Sequence, residues 1–132
     1  MIVNVIAVAA GGAVGAALRY LASLGVGCLG GSQAIWGSFP LPTFLVNAAG
    51  CFLMGVLSAA FQQGGAPNAS TWKLFATTGV MGGFTTFSTF SLETLSLIDG
   101  GAWGEAALYS LGSLACCLVG VAVGRLAGRA LF

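Results

Sequence analysis

The segment at residues 82–91 reads GGFTTFSTFS and places hydroxyl side chains between regularly spaced phenylalanines. Hydroxyl groups donate hydrogen bonds, and aromatic rings have a partial positive charge on their edges. Asn47, in another apolar stretch, adds an amide with two donor hydrogens. Because no acidic residue interrupts the segment before Glu93, these groups predict a weak site for a small anion that is released again, as conduction requires.

Each of these residues also has a simpler interpretation when it is taken alone. A phenylalanine can be a core or lipid contact, a hydroxyl can bond back to its own helix, and Asn47 can make an ordinary bond between helices, which contributes about 0.6 kcal/mol in membranes. The combination of a glycine pair, five hydroxyls and a repeat of phenylalanines favours the anion site over these alternatives.

The glycine pair that opens the segment predicts a break in a helix. Each glycine costs about 1 kcal/mol relative to alanine inside a helix. A break exposes backbone carbonyl groups, which the membrane interior tolerates only where protein, water or an ion meets them. Since broken membrane helices use such carbonyls to coordinate cations, the carbonyls of Gly82 and Thr85, one turn apart, are the candidates for a cation site.

The composition indicates that the elements positioning these groups cross a membrane. The chain has 132 residues, of which 58% are hydrophobic and 5% charged, whereas soluble domains have about 25% charged residues. Four apolar spans, at residues 2–24, 43–61, 74–98 and 106–125, approach the roughly 20 residues that a bilayer crossing needs. The predicted fold is an all-α integral membrane protein, a single transmembrane domain of four helices with the third broken near Gly82-Gly83.

Charge and residue types exclude other classes of protein. A net charge of +1 without a basic run argues against nucleic-acid binding. The chain has no histidine, and its acids, Glu93, Asp99 and Glu105, lie near span ends or in a loop, so we predict that it is not an enzyme. The four cysteines lack metal-binding spacing and are interpreted as small packing residues: Cys28, Cys51, Cys116 and Cys117.

Arg19 is costly within the first span, by about 2.5–3.5 kcal/mol at a helix centre. It can be an interfacial anchor with Tyr20, or a positive charge that attracts anions to a vestibule or ties helices together. The other basic residues, Lys73, Arg125 and Arg129, fall on the N-terminal side of the membrane, three against one. This small excess favours a cytoplasmic N-terminus only weakly, and a chain that inserts in both directions would look similar.

The segment Gly82–Ser91 resembles the signature of the CrcB/Fluc family of fluoride ion channels. Residues 11–20, GGAVGAALRY, resemble that family's first-helix pattern, and Thr43–Asn47 resembles its second, although Pro42 stands where glycine is more usual. Together with the four spans, the resemblance covers nearly the whole chain.

The resemblance implies passive fluoride export that relieves fluoride toxicity, through the inner or plasma membrane of a bacterium. It also implies an antiparallel, dual-topology homodimer with a structural sodium ion at its centre, bound by the carbonyls of Gly82 and Thr85. Arg19 and Glu93 match vestibule positions. The implied fluoride pathway comprises seven residues: Asn47, Phe87, Ser88, Thr89, Phe90, Tyr109 and Ser113.

Three alternatives stay open at this point. The charge excess leaves pairing with a paralogous chain possible. A small multidrug exporter is also a dimer of four-helix chains, but such exporters have a glutamate in the first helix, where this chain has none. A non-conducting scaffold subunit would leave the hydroxyls of the segment at 82–91 unexplained.

Overall fold

A computed structural model of the chain describes residues 1–30, 38–63 and 69–132. All regular elements in these ranges are helical. They are α1 (Ile2–Gly30), α2 (Leu41–Gln63), α3 (Ala69–Lys73), a π-helical segment (Leu74–Met81), α4 (Gly82–Phe84), α5 (Phe87–Asp99) and α6 (Trp103–Leu131). The prediction of an all-helical chain is therefore confirmed over the described residues.

Within the ranges that the structure describes, three helices are long and apolar enough to cross a membrane, over Ile2–Cys28, Leu41–Gln62 and Trp103–Leu131. The first helix runs past its predicted end at residue 24 and includes Gly25 and Gly27. In an apolar surrounding no water competes for the backbone hydrogen bonds, so glycine alone does not end a helix there.

The third predicted span consists of two halves, residues 69–84 and α5, and its break lies slightly later than predicted. Gly82 is helical, with φ −63° and ψ −36°. Thr85 (φ −79°, ψ 158°) and Thr86 (φ −149°, ψ 116°) are the extended residues. The β-branched side chain of threonine disfavours the helix more than it disfavours extended backbone, and the helix therefore opens at the threonines.

Glycines bring α2 and α6 into close, parallel contact. A Cβ added at Gly55 would lie 2.8 Å from the backbone nitrogen of Arg125 and 3.0 Å from Cα of Gly124. Further along both helices, a Cβ added at Gly128 would lie 2.8 Å from Cβ of Ala59. Such contacts between small residues are the usual basis of helix association in lipid.

The first helix packs in the same way on the first half of the broken helix. A Cβ at Gly11 would lie 2.9 Å from Cα of Gly79, and one at Gly83 would lie 3.1 Å from Cα of Gly12. At the start of both helices, the Thr71 hydroxyl donates to Oδ1 of Asn4 at 2.9 Å. The break is thus anchored on one side by α1.

The second half of the broken helix, α5, packs on α6 through a small core. Leu97, Ala106 and Tyr109 are buried in it, and Tyr109 is fully enclosed. Five partly buried apolar residues surround this core: Phe39, Phe44, Phe90, Ile98 and Ala102. The core holds α5, with its hydroxyl-rich beginning, against the start of α6.

Candidate functional site

Asn47 holds the break open by bonding to the backbone of Thr86. Its Nδ2 donates to the Thr86 carbonyl at 3.0 Å, and its Oδ1 accepts from the Thr86 N–H at 2.8 Å. In a continuous helix this N–H would donate to the carbonyl of Gly82, four residues earlier. The carbonyl of Gly82 is therefore deprived of its helical donor, and one of the two donor hydrogens of Asn47 is already used.

Thr85 keeps its helical bond but offers its carbonyl to α1. Its N–H donates to the Met81 carbonyl at 3.0 Å, and its hydroxyl bonds to the same carbonyl at 2.9 Å. The carbonyl of Thr85 accepts from Nη1 of Arg19 at 3.3 Å. Of the roles considered for Arg19, the structure thus favours the one in which it ties helices together at the break.

A cavity of about 290 Å³ lies beside this contact. Arg19 is its charged residue, and the rest of its lining is polar or small: Ala16, Tyr20, Ser23, Thr43, Val46, Thr86 and Thr89. A cavity with one cation and several hydroxyls favours an anion over a cation. The structure places Arg19 at this cavity, and its role as a vestibule residue stays a prediction; Asn47 is not part of the lining.

Hydroxyl groups cluster where α5 begins. The Thr86 hydroxyl caps the helix by accepting from the Thr89 N–H at 3.3 Å, and it lies 3.0 Å from the Thr89 hydroxyl and 3.4 Å from that of Ser88. Ser88 and Thr89 are exposed in the single chain. The N-terminal end of a helix has a partial positive charge, so the cluster and the helix end together favour a negative ion.

Phe90 and Phe87 differ in their surroundings although they are neighbours. Their ring centroids are 5.5 Å apart. Phe90 also packs on Tyr109, with centroids 5.2 Å apart, whereas Phe87 is 78% exposed. In the single chain, Phe90 therefore belongs to the core between α5 and α6, and Phe87 projects from it.

Glu93 is bound by two hydroxyl groups. Its Oε1 accepts from the Thr43 hydroxyl at 2.8 Å, and its Oε2 accepts from the Tyr109 hydroxyl at 2.7 Å. Glu93 also lines a second cavity of about 260 Å³ together with Ser96. The two proposed vestibule residues thus face different cavities, and Thr43 connects them because it lines the first and bonds to Glu93. The hydroxyl hydrogen of Tyr109 is committed to the carboxylate.

Ser113 lies one turn beyond Tyr109 on α6. It is 6% exposed, and its hydroxyl oxygen is buried without a hydrogen-bond partner among the described residues. Buried polar atoms are nearly always paired. An unpaired hydroxyl in this position is a donor available to a ligand.

Sequence reasoning did not select Thr43 or Thr86 as site residues. Thr43 lies four residues before Asn47, so the two share a helix face, and this spacing was the available signal. Thr86 stands inside the motif, and its role as the helix cap and the partner of Asn47 depends on contacts between distant segments, 39 residues apart in the chain.

Comparison with known proteins identifies relatives over nearly the whole chain. The family model described as "CrcB-like protein, Camphor Resistance (CrcB)" matches residues 6–125. The "Fluoride-specific ion channel FluC" of Methylobacterium nodulans is 48% identical over 119 residues, 89% of this chain and 90% of that protein. Proteins of the same name from Caulobacter vibrioides and Agrobacterium fabrum are 42% and 43% identical, covering 95% and 98% of this chain and 94% and 99% of their own lengths.

These relatives decide several predictions. Their name describes an ion channel, and the prediction that the chain is not an enzyme is confirmed on that ground. Apolar helices of spanning length, together with these bacterial relatives, make the chain a multi-pass membrane protein. The resemblance seen in the segment at 82–91 is confirmed by the family match: the chain belongs to the CrcB family of fluoride ion channels.

Proposed function

We propose that the chain is a fluoride-selective channel through which fluoride leaves the bacterial cytoplasm passively across the inner or plasma membrane. The observation on which this rests is the hydroxyl cluster of Thr86, Ser88 and Thr89 at the positive end of α5, beside a cavity in whose described lining Arg19 is the charged residue. The names of the relatives support fluoride as the ion.

The pathway begins at the cavity of Arg19. The guanidinium attracts an anion into the membrane domain, and the hydroxyls at the start of α5 replace part of the anion's water. Because fluoride is the smallest halide and the strongest hydrogen-bond acceptor among them, each bond from a neutral donor is stronger to fluoride than to a larger halide, which offsets part of the cost of removing its water. These donors hold the ion without a full positive charge in contact, and it is released again.

Beyond the hydroxyls, the ion passes the rings of Phe87 and Phe90 and the hydroxyl of Ser113. The positive edges of the two rings face an anion favourably. Ser113 has a buried hydroxyl without a partner, which suits a donor that meets a passing ion. Tyr109 acts indirectly, since its hydroxyl is bound to Glu93 and its ring supports Phe90.

The decisive experiment is fluoride efflux from liposomes. Purified protein is reconstituted in vesicles loaded with fluoride, and release is followed with a fluoride electrode when a potassium ionophore balances charge. Rapid release of fluoride, with no release of chloride from matched vesicles, is expected. Equal rates for the two ions would refute selectivity, and no release from well-folded protein would favour the scaffold alternative.

The proposal includes an antiparallel homodimer. On α5 the hydroxyls of Ser88, Thr89 and Ser91 and the ring of Phe87 are exposed in the single chain. These hydroxyls bond only within their own chain, as Ser91 does to the Phe87 carbonyl at 2.9 Å, and lipid offers them no further partners, so a second copy is the better cover for this face. Light scattering in detergent is expected to give twice the chain mass, and labelling of Lys73 by an impermeant amine reagent is expected from both sides of the membrane.

A structural sodium ion at the dimer centre completes the proposal, with the carbonyls of Gly82 and Thr85 as its ligands. The residues fit such an ion: Gly82 has lost its helical donor, and a side chain there would meet nothing closer than Thr77 O at 3.9 Å. Neutral carbonyl oxygens at a helix break suit sodium. When bound, the ion would neutralise the partial negative charge at the end of residues 69–84.

A further inference from the structure

One face of α6 changes from apolar to basic towards the end of the helix. Its residues are spaced three or four apart, and all of them are exposed in the single chain: Leu111, Leu114, Leu118, Ala122, Arg125 and Arg129. The three leucines are 60–68% exposed. On a neighbouring face of the same helix, the buried glycines Gly124 and Gly128 pack closely on α2. The two arginines therefore extend from a helix end whose position is fixed by packing.

The length of α6 places these arginines at the depth of lipid headgroups. Trp103 begins the helix and is 67% exposed, and tryptophan is enriched at membrane interfaces. Arg125 follows 22 residues later, which is about 33 Å at the helical rise of about 1.5 Å per residue. The hydrocarbon core of a bilayer is about 30 Å thick. With Trp103 at one interface, Arg125 and Arg129 therefore reach the opposite one.

The acidic side chains of the chain all lie towards the other end of the helices. α2 and α6 run parallel through their glycine contacts, and Glu93 bonds to Thr43 near the start of α2. Asp99 ends α5, and Glu105 lies in the first turn of α6. The chain has three acidic side chains in all. The positive charges of Arg125 and Arg129 are thus available to an anion from outside the chain.

We propose that Arg125 and Arg129 bind the phosphate of an anionic phospholipid whose acyl chains lie along the leucines of the same face. Guanidinium groups bind phosphate oxygens through paired hydrogen bonds, and basic residues beside a membrane span attract anionic lipids. One acyl layer, about 15 Å deep, covers about ten residues of helix. Leu118 and Ala122 lie within that distance of Arg125, so headgroup and acyl chains meet matching parts of one face.

The charge of the pair selects an anionic lipid over a zwitterionic one. Two guanidiniums carry two positive charges, and the choline group of a zwitterionic lipid adds a third cation that they repel. An antiparallel second copy is the competing occupant, because it would bring acidic side chains to the same side of the membrane. The lipid site does not depend on the proposed channel function, since it involves none of the residues of the fluoride pathway.

Native mass spectrometry tests the site without any measurement of flux. Purified protein in detergent is mixed with equal amounts of phosphatidylglycerol and phosphatidylcholine that have the same acyl chains, and the bound lipids are counted. At least tenfold more phosphatidylglycerol is expected. Arg125→Gln and, separately, Arg129→Gln should each lower this preference about fivefold, as expected from the loss of one cation near an anionic headgroup. An excess of inorganic phosphate should leave the bound lipid in place.

The control is Lys73→Gln, which removes one positive charge from the same side of the membrane but from another helix, and it should leave the preference unchanged. Arg125→Lys/Arg129→Lys keeps both charges and should keep most of the preference, which separates loss of charge from misfolding. Four results would overturn the lipid site: no preference in the unaltered protein, an unchanged preference in both glutamine variants, displacement of the lipid by inorganic phosphate, or loss of the dimer mass in the glutamine variants, which would assign the arginines to a second copy.

Discussion

The side chain of Asn47 bonds to the backbone of Thr86 in both directions, donating to its carbonyl at 3.0 Å and accepting from its N–H at 2.8 Å. An amide side chain here takes the place that a peptide group of the same helix would otherwise occupy. Two segments that are far apart in the chain are thereby joined at the point where the third helix opens. The arrangement makes Asn47 a structural determinant of the break as well as a candidate for contact with the fluoride ion.

Replacing Asn47 with leucine is expected to destabilise the protein and abolish fluoride release. Two backbone groups of Thr86 would lose their partners in an apolar surrounding, at a cost of about 1–3 kcal/mol for each. Unfolding by titration with sodium dodecyl sulfate measures the loss. Ser58→Ala is the matched control on the same helix, because the side-chain partner of Ser58 among the described residues is Gln62, in an exposed bond. Equal stability of the two variants would contradict this role of Asn47.

Replacing Phe90 with isoleucine is expected to slow fluoride release at least tenfold. The substitution removes a ring edge that favours the anion and the ring that packs on Tyr109 and Phe87. Phe75→Ile is the control, since Phe75 packs on Trp72 away from the proposed pathway. The liposome assay compares the two variants, and a similar rate for both would show that the Phe90 ring has no special effect.

The spans and the broken helix were predictable because apolar length and glycine pairs are local signals. The exact place of the break was not predictable. Either Gly82-Gly83 or the adjacent threonines could have left the helix, and Asn47, on another helix, stabilises the break at the threonines. Backbone hydrogen bonds in lipid keep the glycines helical, and the two hydrogen bonds of the Asn47 side chain stabilise the extended backbone of Thr86.

The hydrogen-bond partners of the charged residues could not be predicted from the sequence either. Arg19 had two acceptable roles until its contact with the carbonyl of Thr85 was seen. Glu93 was assigned to a vestibule by resemblance, and the assignment did not indicate that its carboxylate accepts from the hydroxyls of Thr43 and Tyr109. A motif gives residue types and spacing along one helix, whereas these pairings depend on how α1, α2, the broken helix and α6 approach one another.

A double-mutant cycle on Glu93 and Tyr109 should reveal strong coupling. Hydrogen bonds to charged groups contribute about 1.5–3 kcal/mol, so Glu93→Gln and Tyr109→Phe together should cost clearly less stability than the sum of the single changes. Detergent unfolding of the four proteins gives the coupling energy. Glu93 and Ser96 provide a control pair, because Ser96 lines the same cavity as Glu93 but does not bond to it. Additive effects of the Glu93 and Tyr109 substitutions would contradict the hydrogen bond between these two side chains.

Alanine at Gly55 should disrupt folding, whereas alanine at Gly104 should not. A Cβ at Gly55 would press on the backbone of α6, 2.8 Å from one nitrogen and 3.0 Å from Cα of Gly124. A Cβ at Gly104 meets nothing within 4 Å, and alanine is the better helix former by about 1 kcal/mol. The two variants are compared by the yield of purified protein and by its elution volume in size-exclusion chromatography in detergent. Normal folding of Gly55→Ala would show that α2 and α6 separate without cost.

Arg19→Gln should change cation binding and fluoride release in opposite directions. Glutamine keeps a donor for the carbonyl of Thr85 but removes the positive charge beside an oxygen that we propose as a sodium ligand. Sodium should therefore bind severalfold more tightly, seen as a midpoint at lower sodium when thermal stability is titrated with sodium in a potassium background. Loss of the charge from the cavity should also slow fluoride release, most strongly at low ionic strength. Arg125→Gln, the control, removes the same charge from an exposed position and should change neither sodium binding nor fluoride release. Weaker sodium binding in Arg19→Gln would contradict the prediction, because it would mean that the guanidinium orients the Thr85 carbonyl more than it repels sodium.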